Sequence, residues 1–422
     1  MNKKKLFGKK VLCFGTSYGY NRQRFLKEAV EEGLDLKILK FPGESFLIDF
    51  PFDCIEVHPR TIEEDLNELA SEEFDCAITY EEFHVERMSK IAPLLKLKRP
   101  LPSLETALKS RDKILMKKAF EEKGIPIAEW SEWSSSGELG LFLYENGLCP
   151  GKFVLKPRAG TTSAGVYRSV EHETMDQAVK NFLKMCESCG EEEEYAALLS
   201  PPFIVERFLH RDGKGVELAV DGYVHDGKLE GILISEKIDM KNSGPFLENK
   251  YLSPPISDYI IKDQEKVREI SERVVKAVGI NNLAFHLELR YDNGDIKVLE
   301  IASRPGGGLI SESAKERLGI SYRRQHLLLS LGLEPEKIEM RNVGTCFGTL
   351  YFEEDFKLEN FDSVIDFLGK NGLYYEVSPH LNKRKYIIHD GLLAFGVAAE
   401  NNKNAYLEFY SNLEKIKSIL RS

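Results

Sequence analysis

Two acidic residues, Glu288 and Glu300, stand on either side of a turn signal in Leu283-Ala-Phe-His-Leu-Glu-Leu-Arg-Tyr-Asp-Asn-Gly-Asp-Ile-Lys-Val-Leu-Glu-Ile-Ala302. Alternating apolar and polar residues around Asp292-Asn293-Gly294 predict an antiparallel β-hairpin. Where the two acids fall depends on the turn. A two-residue turn at Asn293-Gly294 pairs Glu288 with Leu299 and sends the acids to opposite faces, because a one-residue shift flips every side chain. A three-residue bulged turn with a left-handed Gly294 instead gathers His286, Glu288, Arg290, Glu300 and Ala302 on one face. Phe285, Leu287, Leu289, Leu299 and Ile301 then share the other, and this clean split favours the second register. Two converging carboxylates repel unless a cation or proton lies between them, and hard oxygen donors suit Mg²⁺ accompanied by phosphates. The competing reading is a solvated sheet face whose acids pair with Arg290.

The residues just beyond the hairpin strengthen the metal–phosphate reading. Ser303-Arg304-Pro305-Gly306-Gly307-Gly308 puts a fixed cation and a run of amides without side chains next to the two acids. A second segment, Phe153-Val-Leu-Lys-Pro-Arg-Ala-Gly-Thr-Thr-Ser-Ala-Gly-Val-Tyr-Arg168, is a strand ending in Lys156 that leads into a small-residue loop from Gly160 to Gly165. Such a loop can fold its amides over phosphates. It is not a Walker loop, because Val166 stands where a lysine should follow the second glycine. In a third segment, Phe203-Ile-Val-Glu-Arg-Phe-Leu209, a strand changes composition abruptly; it reads equally as a core strand or as an edge offering backbone groups to a base.

These segments need elements to hold them. From Lys10 to about Pro102 the pattern is βαβ: a strand at 11–14, a helix at 21–32 closed by Gly33, and extended runs at 36–39 and 74–79. Gly15 to Gly19 lacks the full dinucleotide fingerprint and reads as a tight strand-to-helix turn. The middle of the chain opens near Ser103, carries a helix from Ser110 stopped by Gly124, and continues as α+β rich in antiparallel pairs, with strands at 153–157, 203–206, 216–221, 229–234, 283–291 and 296–302 and helices at 175–187 and 263–278. A last α/β segment from about Gly344 ends in an amphipathic helix. The expected domains are therefore 1–102, 103–335 and 336–422.

Composition narrows the setting. A chain of 422 residues exceeds one ordinary core and divides into several domains. Its net charge of −10 speaks against a nucleic-acid partner, which calls for clustered Lys and Arg, so anionic ligands must be met locally. The seven cysteines have no framework spacing, and the one C-x-x-C, Cys186 and Cys189, has no second pair to complete a zinc site. No run approaches a membrane span, and the basic N-terminus leads into a first strand and not a signal peptide. A reducing cytoplasm is the expected location.

The order of Ser110-Arg-Asp-Lys113, Val154-Leu-Lys-Pro157 with its glycine loop, Ile204-Val-Glu-Arg-Phe208, Glu217, His286-Leu-Glu288 and Glu300-Ile-Ala-Ser-Arg-Pro-Gly-Gly-Gly308 resembles the ATP-grasp superfamily, and more closely its L-amino-acid ligase branch. The resemblance covers nearly the whole chain. It implies a Rossmann-like N-terminal domain, an ATP-grasp domain whose lid spans about 125–205, and a C-terminal α/β domain. It implies ATP and Mg²⁺ as cofactors, with Lys113 and Lys156 on the phosphates and the loop Thr161, Thr162, Ser163, Ala164 and Gly165 closing over them. Glu206, Arg207, Phe208 and Leu209 would form the adenine hinge and Glu217 would bind ribose. Glu288 and Glu300 match the metal ligands and Arg304 the cation that steadies an acyl phosphate, with His286 and Gly306 to Gly308 on the substrate side. Lys237 and Lys241, in the segment 235–246, match further phosphate contacts. One departure is Ala302, where many members carry a third ligand, Asn. The activity implied is the joining of a small-molecule carboxylate, an amino acid, to an amine. A carrier-protein thiol as acceptor and a non-catalytic nucleotide-binding protein are the alternatives. The C-terminal segment fits either a cap on the site or a homodimer surface.

Overall fold

The computed structural model describes residues 5–17, 19–58, 61–69, 71–99, 102–160, 163–188, 200–210, 216–239, 250–378 and 391–422. The N-terminal unit is a five-stranded parallel sheet built from β1 (Lys10–Phe14), β2 (Asp35–Lys40), β3 (Asp53–Glu56), β4 (Glu73–Ile78) and β5 (Lys96–Arg99), in the order β3-β2-β1-β4-β5. Its central strands β1 and β4 are apolar on both faces, as a parallel sheet covered by helices requires, while the edge strands β3 and β5 are polar and largely exposed. Val11 and Cys13 point into one core with Phe25 and Leu26 of the Tyr20–Glu31 helix, while Leu12 and Phe14 point into the other with Met88 and Ile91. The first core is completed from far along the chain by Leu327 and Leu328 of the Tyr322–Ser330 helix. That packing fastens the parallel sheet to the rest of the molecule.

A small sheet comes next, β6-β9-β7-β8, made of β6 (Trp130–Trp133), β7 (Phe153–Lys156), β8 (Tyr167–Arg168) and β9 (Phe203–Arg207). Its core of Trp133, Phe153, Phe182 and Phe203 lies under the Met175–Ser188 helix. Cys186 is buried there; Cys189 and the acidic run 191–194 fall outside the described residues.

The largest sheet has eight strands in the order β14-β13-β10-β11-β12-β15-β17-β16. They are β10 (Val216–His225), β11 (Lys228–Ile238), β12 (Lys250–Ser253), β13 (Leu283–Asp292), β14 (Asp295–Ala302), β15 (Gly344–Leu350), β16 (Tyr374–Val377) and β17 (Leu393–Ala399). Leu287, Leu289 and Val298 on its inner face pack with Val267, Ile270 and Val274 of the Gln264–Val278 helix. Each such side chain contributes about 1.5–3 kcal/mol by leaving water. The 336–422 segment is not set apart by hydrogen bonding: β12 pairs with β15 from Lys250↔Gly348 to Ser253↔Thr345, so one sheet runs through both regions. Its own helices, Phe361–Lys370 and Asn402–Arg421, cover Phe395 and Val397.

The helix expected to run from Ser110 to Gly124 is broken near its start, at Asp112. Leu104–Arg111 is one helix, capped by Ser103, and Lys113–Glu122 is another. Asp112 leaves helical geometry with φ −88° and ψ 109°, and its carboxylate accepts from the amides of Ile114 and Leu115. Its other oxygen takes the Arg158 guanidinium, and the Lys113 amide donates to the Arg158 carbonyl. The break thus starts a helix at Lys113 and ties that start to the strand carrying Lys156.

Candidate active site

The hairpin brings the two acids together, though by a different route from the expected one. Asp292 pairs with Asp295, leaving a two-residue turn at Asn293 and Gly294, with φ of 47° and 98°. The three-residue bulged turn is thereby corrected. Alone, this turn would oppose Glu288 to Leu299, but the register slips farther up: Leu289 faces Val298 while Glu288 faces Glu300. Leu299 is the extra residue of a bulge in β14, and the acids share a face because of it. Leu299 itself leaves the apolar face to which the alternation assigned it and lines the cleft.

That cleft lies between the small sheet and the large one. Of the predicted site residues its wall contains Lys113, Lys156, Ser163, Ala164, Glu206, Arg207, Leu209, Glu217, Glu288 and Glu300, with Val154, Pro157, Val166 and Arg290. Phe208 turns away, packing with Val154 and Val166 under the Arg168 guanidinium. Gly165 backs onto Cys186 and Pro157. Thr161, Thr162 and Lys241 lie outside the described residues.

Cations and carboxylates alternate along the cleft. Lys113 is 2.9 Å from Glu300, whose side chain remains 38% exposed toward the opening. Burial pushes the Glu300 carboxyl up, but Lys113 and Lys156 outweigh it and hold it at about 2. Lys156 donates to one oxygen of Glu206 at 3.0 Å, and Lys117 lies 3.0 Å from the other. Lys117, absent from the residues expected in the site, is 1% exposed. Burial again raises the Glu206 carboxyl, and the two lysines bring it down to about 2. The helical spacing of Lys113 and Lys117 was the available signal: four residues apart, they share a helix face.

A second row crosses β11, β10 and β13. The Lys237 ammonium is 2.5 Å from Glu217 and 2.5 Å from Glu288, and Arg290 is 3.2 Å from the other oxygen of Glu217. His286 lies between Asp221, at 2.8 Å, and Glu288, at 3.4 Å. Burial lowers the His286 pKa, but Asp221 and Glu288 more than reverse this and lift it to about 10. His286 therefore braces the hairpin as an imidazolium; Asp221, fully buried, is its partner and was not anticipated.

Arg304 and the glycines lie beyond the wall of the cleft, toward the parallel sheet. Arg304 is 2.5 Å from Glu82, at the start of the Glu82–Ile91 helix after β4, and Arg111 approaches the other Glu82 oxygen at 3.8 Å. Gly306 is wedged so closely that a Cβ there would lie 2.5 Å from Asp221 and 2.9 Å from His286. Gly307 abuts Arg22, and the Gly308 carbonyl accepts from Arg323 at 3.4 Å. The Arg207 guanidinium, expected at the adenine hinge, holds both oxygens of Asp292 at 3.0 and 2.6 Å and Glu129 at 2.5 Å. It clasps the small sheet to the hairpin.

A cleft between two sheets, lined by lysines and by two acids on one hairpin face, defines an α/β protein with a site suited to an anionic, phosphate-bearing ligand. Residues 149–313 match the ATP-grasp domain family. It is 24% identical over 241 residues to the L-arginine-specific L-amino acid ligase of Bacillus subtilis, an alignment taking in 56% of this chain and 52% of the relative, so the chain spans about half the length of the curated relative it matches. Among solved structures, an L-amino acid ligase from Bacillus licheniformis superimposes with a TM-score of 0.72 at 16% identity, covering 97% of this chain and 98% of the other. The ADP complex of PurK, an N5-carboxyaminoimidazole ribonucleotide synthetase, does so with a TM-score of 0.74 at 16% identity over the whole of both chains. These likenesses establish the fold. Among the described residues, no helix is long and apolar enough to cross a membrane.

Proposed function

We propose that the protein is an ATP-dependent carboxylate–amine ligase that activates an amino-acid carboxylate as an acyl phosphate and passes the acyl group to an amine, releasing ADP and phosphate. The observation that carries this reading is the convergence of Glu288 and Glu300 on one face of a cleft that also holds Lys113 and Lys156. Among the described residues no group of three or more His, Cys, Asp or Glu is placed to hold a metal. Two carboxylates alone fit Mg²⁺, which completes its shell with phosphate oxygens and water. When bound, the ion would neutralise charge on the transferring phosphate.

In this reading the protein's own part is positioning and electrostatics. Lys113 and Lys156 meet the phosphate chain, and Glu206, fixed by Lys117, sets the reach of Lys156. Glu217 faces the ribose and the strand edge from Glu206 to Leu209 faces the base. Arg304, held by Glu82, points its charge at the activated carboxyl, and His286 with Gly306 to Gly308 shapes the substrate side. The 161–165 loop shields the acyl phosphate from water.

A second reading is favoured by the PurK likeness: the same first half-reaction with bicarbonate as the carboxylate. A carrier-protein thiol as acceptor is a third. The deciding measurement is ADP release with Mg-ATP against the twenty L-amino acids, singly and in pairs, and against bicarbonate, with mass spectrometry of the products. Pair-dependent release with a condensed mass supports the ligase; release with bicarbonate alone overturns the amino-acid assignment.

A further inference from the structure

Lys237 stands at the crossing of the two functions assigned to this cleft. Its side chain is 1% exposed, and its ammonium lies 2.5 Å from both Glu217, on the nucleotide side, and Glu288, on the metal side. The arrangement follows from register. Glu217 in β10 pairs with Lys237 in β11 on one side and Arg290 in β13 on the other, so the three side chains form one row across the sheet. The Glu288 oxygen that Lys237 approaches is also the one 3.4 Å from His286. On the facing acid, Lys113 occupies Glu300 at 2.9 Å. Each of the two acids assigned to the metal thus already carries an internal ammonium.

A buried ammonium is costly without anionic partners, and Lys237 has two carboxylates and the Tyr251 ring, 5.4 Å from its ammonium, around it. A magnesium ion takes its oxygen ligands at about 2.0–2.1 Å. An ion seated on Glu288 at that distance and an ammonium within hydrogen-bonding distance of the same oxygen repel strongly, so one displaces the other. The displaced ammonium keeps Glu217 but loses one of its two carboxylates, and a phosphate of the nucleotide is the replacement anion that the proposed function supplies.

We propose that Lys237 is a placeholder cation: it keeps Glu288 and Glu217 in place before ligands arrive, and it yields Glu288 to the metal by moving onto a nucleotide phosphate. This rests on the ATP-dependent ligase reading. Metal alone must take from a buried ammonium one of its two carboxylates with no anion to replace it, so it binds weakly. Metal with nucleotide binds as a coupled pair, because each removes the obstacle to the other.

The test uses the full chain and Mn²⁺ as the probe, with free Mn²⁺ followed by electron paramagnetic resonance in the absence of nucleotide. Lys237→Met should bind Mn²⁺ at least about tenfold more tightly than the parent, within the range of ordinary coupling between sites. Lys237→Arg keeps a cation and should retain the parent's weak affinity. Should the Met variant fail to fold, Lys237→Gln is neutral, can hydrogen-bond both acids, and must show the same gain. Equal or weaker Mn²⁺ affinity in the folded neutral variant overturns the assignment. Binding of the non-hydrolysable analogue AMP-PCP with Mg²⁺ to the parent separates the two failures. No binding removes the nucleotide reading itself, whereas binding with an unchanged Mn²⁺ affinity removes only the role of Lys237.

Discussion

Glu288 and Glu300 face each other across the hairpin because the one residue by which β14 exceeds its partner, Leu299, bulges out of the ladder. The turn is the two-residue kind that Asn-Gly favours, and it leaves the acids out of register. Leu299 restores the pairing by bulging. The consequence is a site whose central geometry depends on where the strand accommodates a residue with no chemistry of its own.

Deleting Leu299 should therefore leave the two acids paired. With the extra residue gone, a regular ladder from the two-residue turn still sets Leu289 against Val298 and Glu288 against Glu300. Mg-ATP-dependent ADP release should then stay well above that of Glu300→Gln, because what is lost is the piece of cleft wall that Leu299 supplies. Release as low as in Glu300→Gln would show that the local bend of the bulge, and not the pairing alone, is what the site requires.

The Glu300→Gln variant itself should lower ADP release by about 10²-fold or more, the scale on which one preorganised charged group acts. Lys113 loses its carboxylate partner in the same step, so on the proposed reading a bound nucleotide would lose both a metal ligand and a fixed lysine. Steady-state ADP release at saturating Mg-ATP checks this, and full activity would sink the metal assignment.

Much of this was legible in the sequence, for reasons that differ by element. The β13–β14 hairpin and its pair of acids followed from alternation, because period-2 patterning reports which face is wet. The bulge did not, since Leu299 is an apolar residue in an apolar alternation and no residue type marks it. The break at Asp112 was hidden inside a periodic helical run; its cause is Arg158, 46 residues away in sequence. Glu82 and Asp221 were missed for the same reason: each is ordinary in its own strand or helix and becomes meaningful only opposite Arg304 or His286. Lys117 was visible by its spacing from Lys113, but a lysine on a helix is by default a solvated one.

Glu206 gives a pH prediction. Its carboxyl is held at about 2 in the folded chain against an ordinary value of 4.5, by Lys117 and Lys156 acting against burial. A depressed carboxylate contributes stability that is complete above the unfolded value and is lost as pH falls through the folded one. The parent should thus lose, between about pH 4.5 and 2, a component that Glu206→Gln lacks. Thermal melts of both proteins across that window measure the difference. Parallel curves would mean that the two lysines do not hold Glu206 charged.

The glycines after Arg304 should not behave alike. A Cβ at Gly306 would lie 2.5 Å from Asp221 and Ile310 and 2.9 Å from His286, all in packed surroundings that cannot retreat together. At Gly307 the nearest atom is the end of the Arg22 side chain, 3.3 Å away and able to swing aside. Gly306→Ala should therefore cost about 1–3 kcal/mol, as overpacking does, while Gly307→Ala should be close to neutral for stability. Urea denaturation checks this by a lowered midpoint at unchanged slope for the first variant alone. Because Gly306 leans on the same His286 that braces Glu288, the first variant should also weaken Mn²⁺ binding in the presence of AMP-PCP. Equal midpoints for the two variants would show that the turn is not wedged against the Asp221–His286 pair.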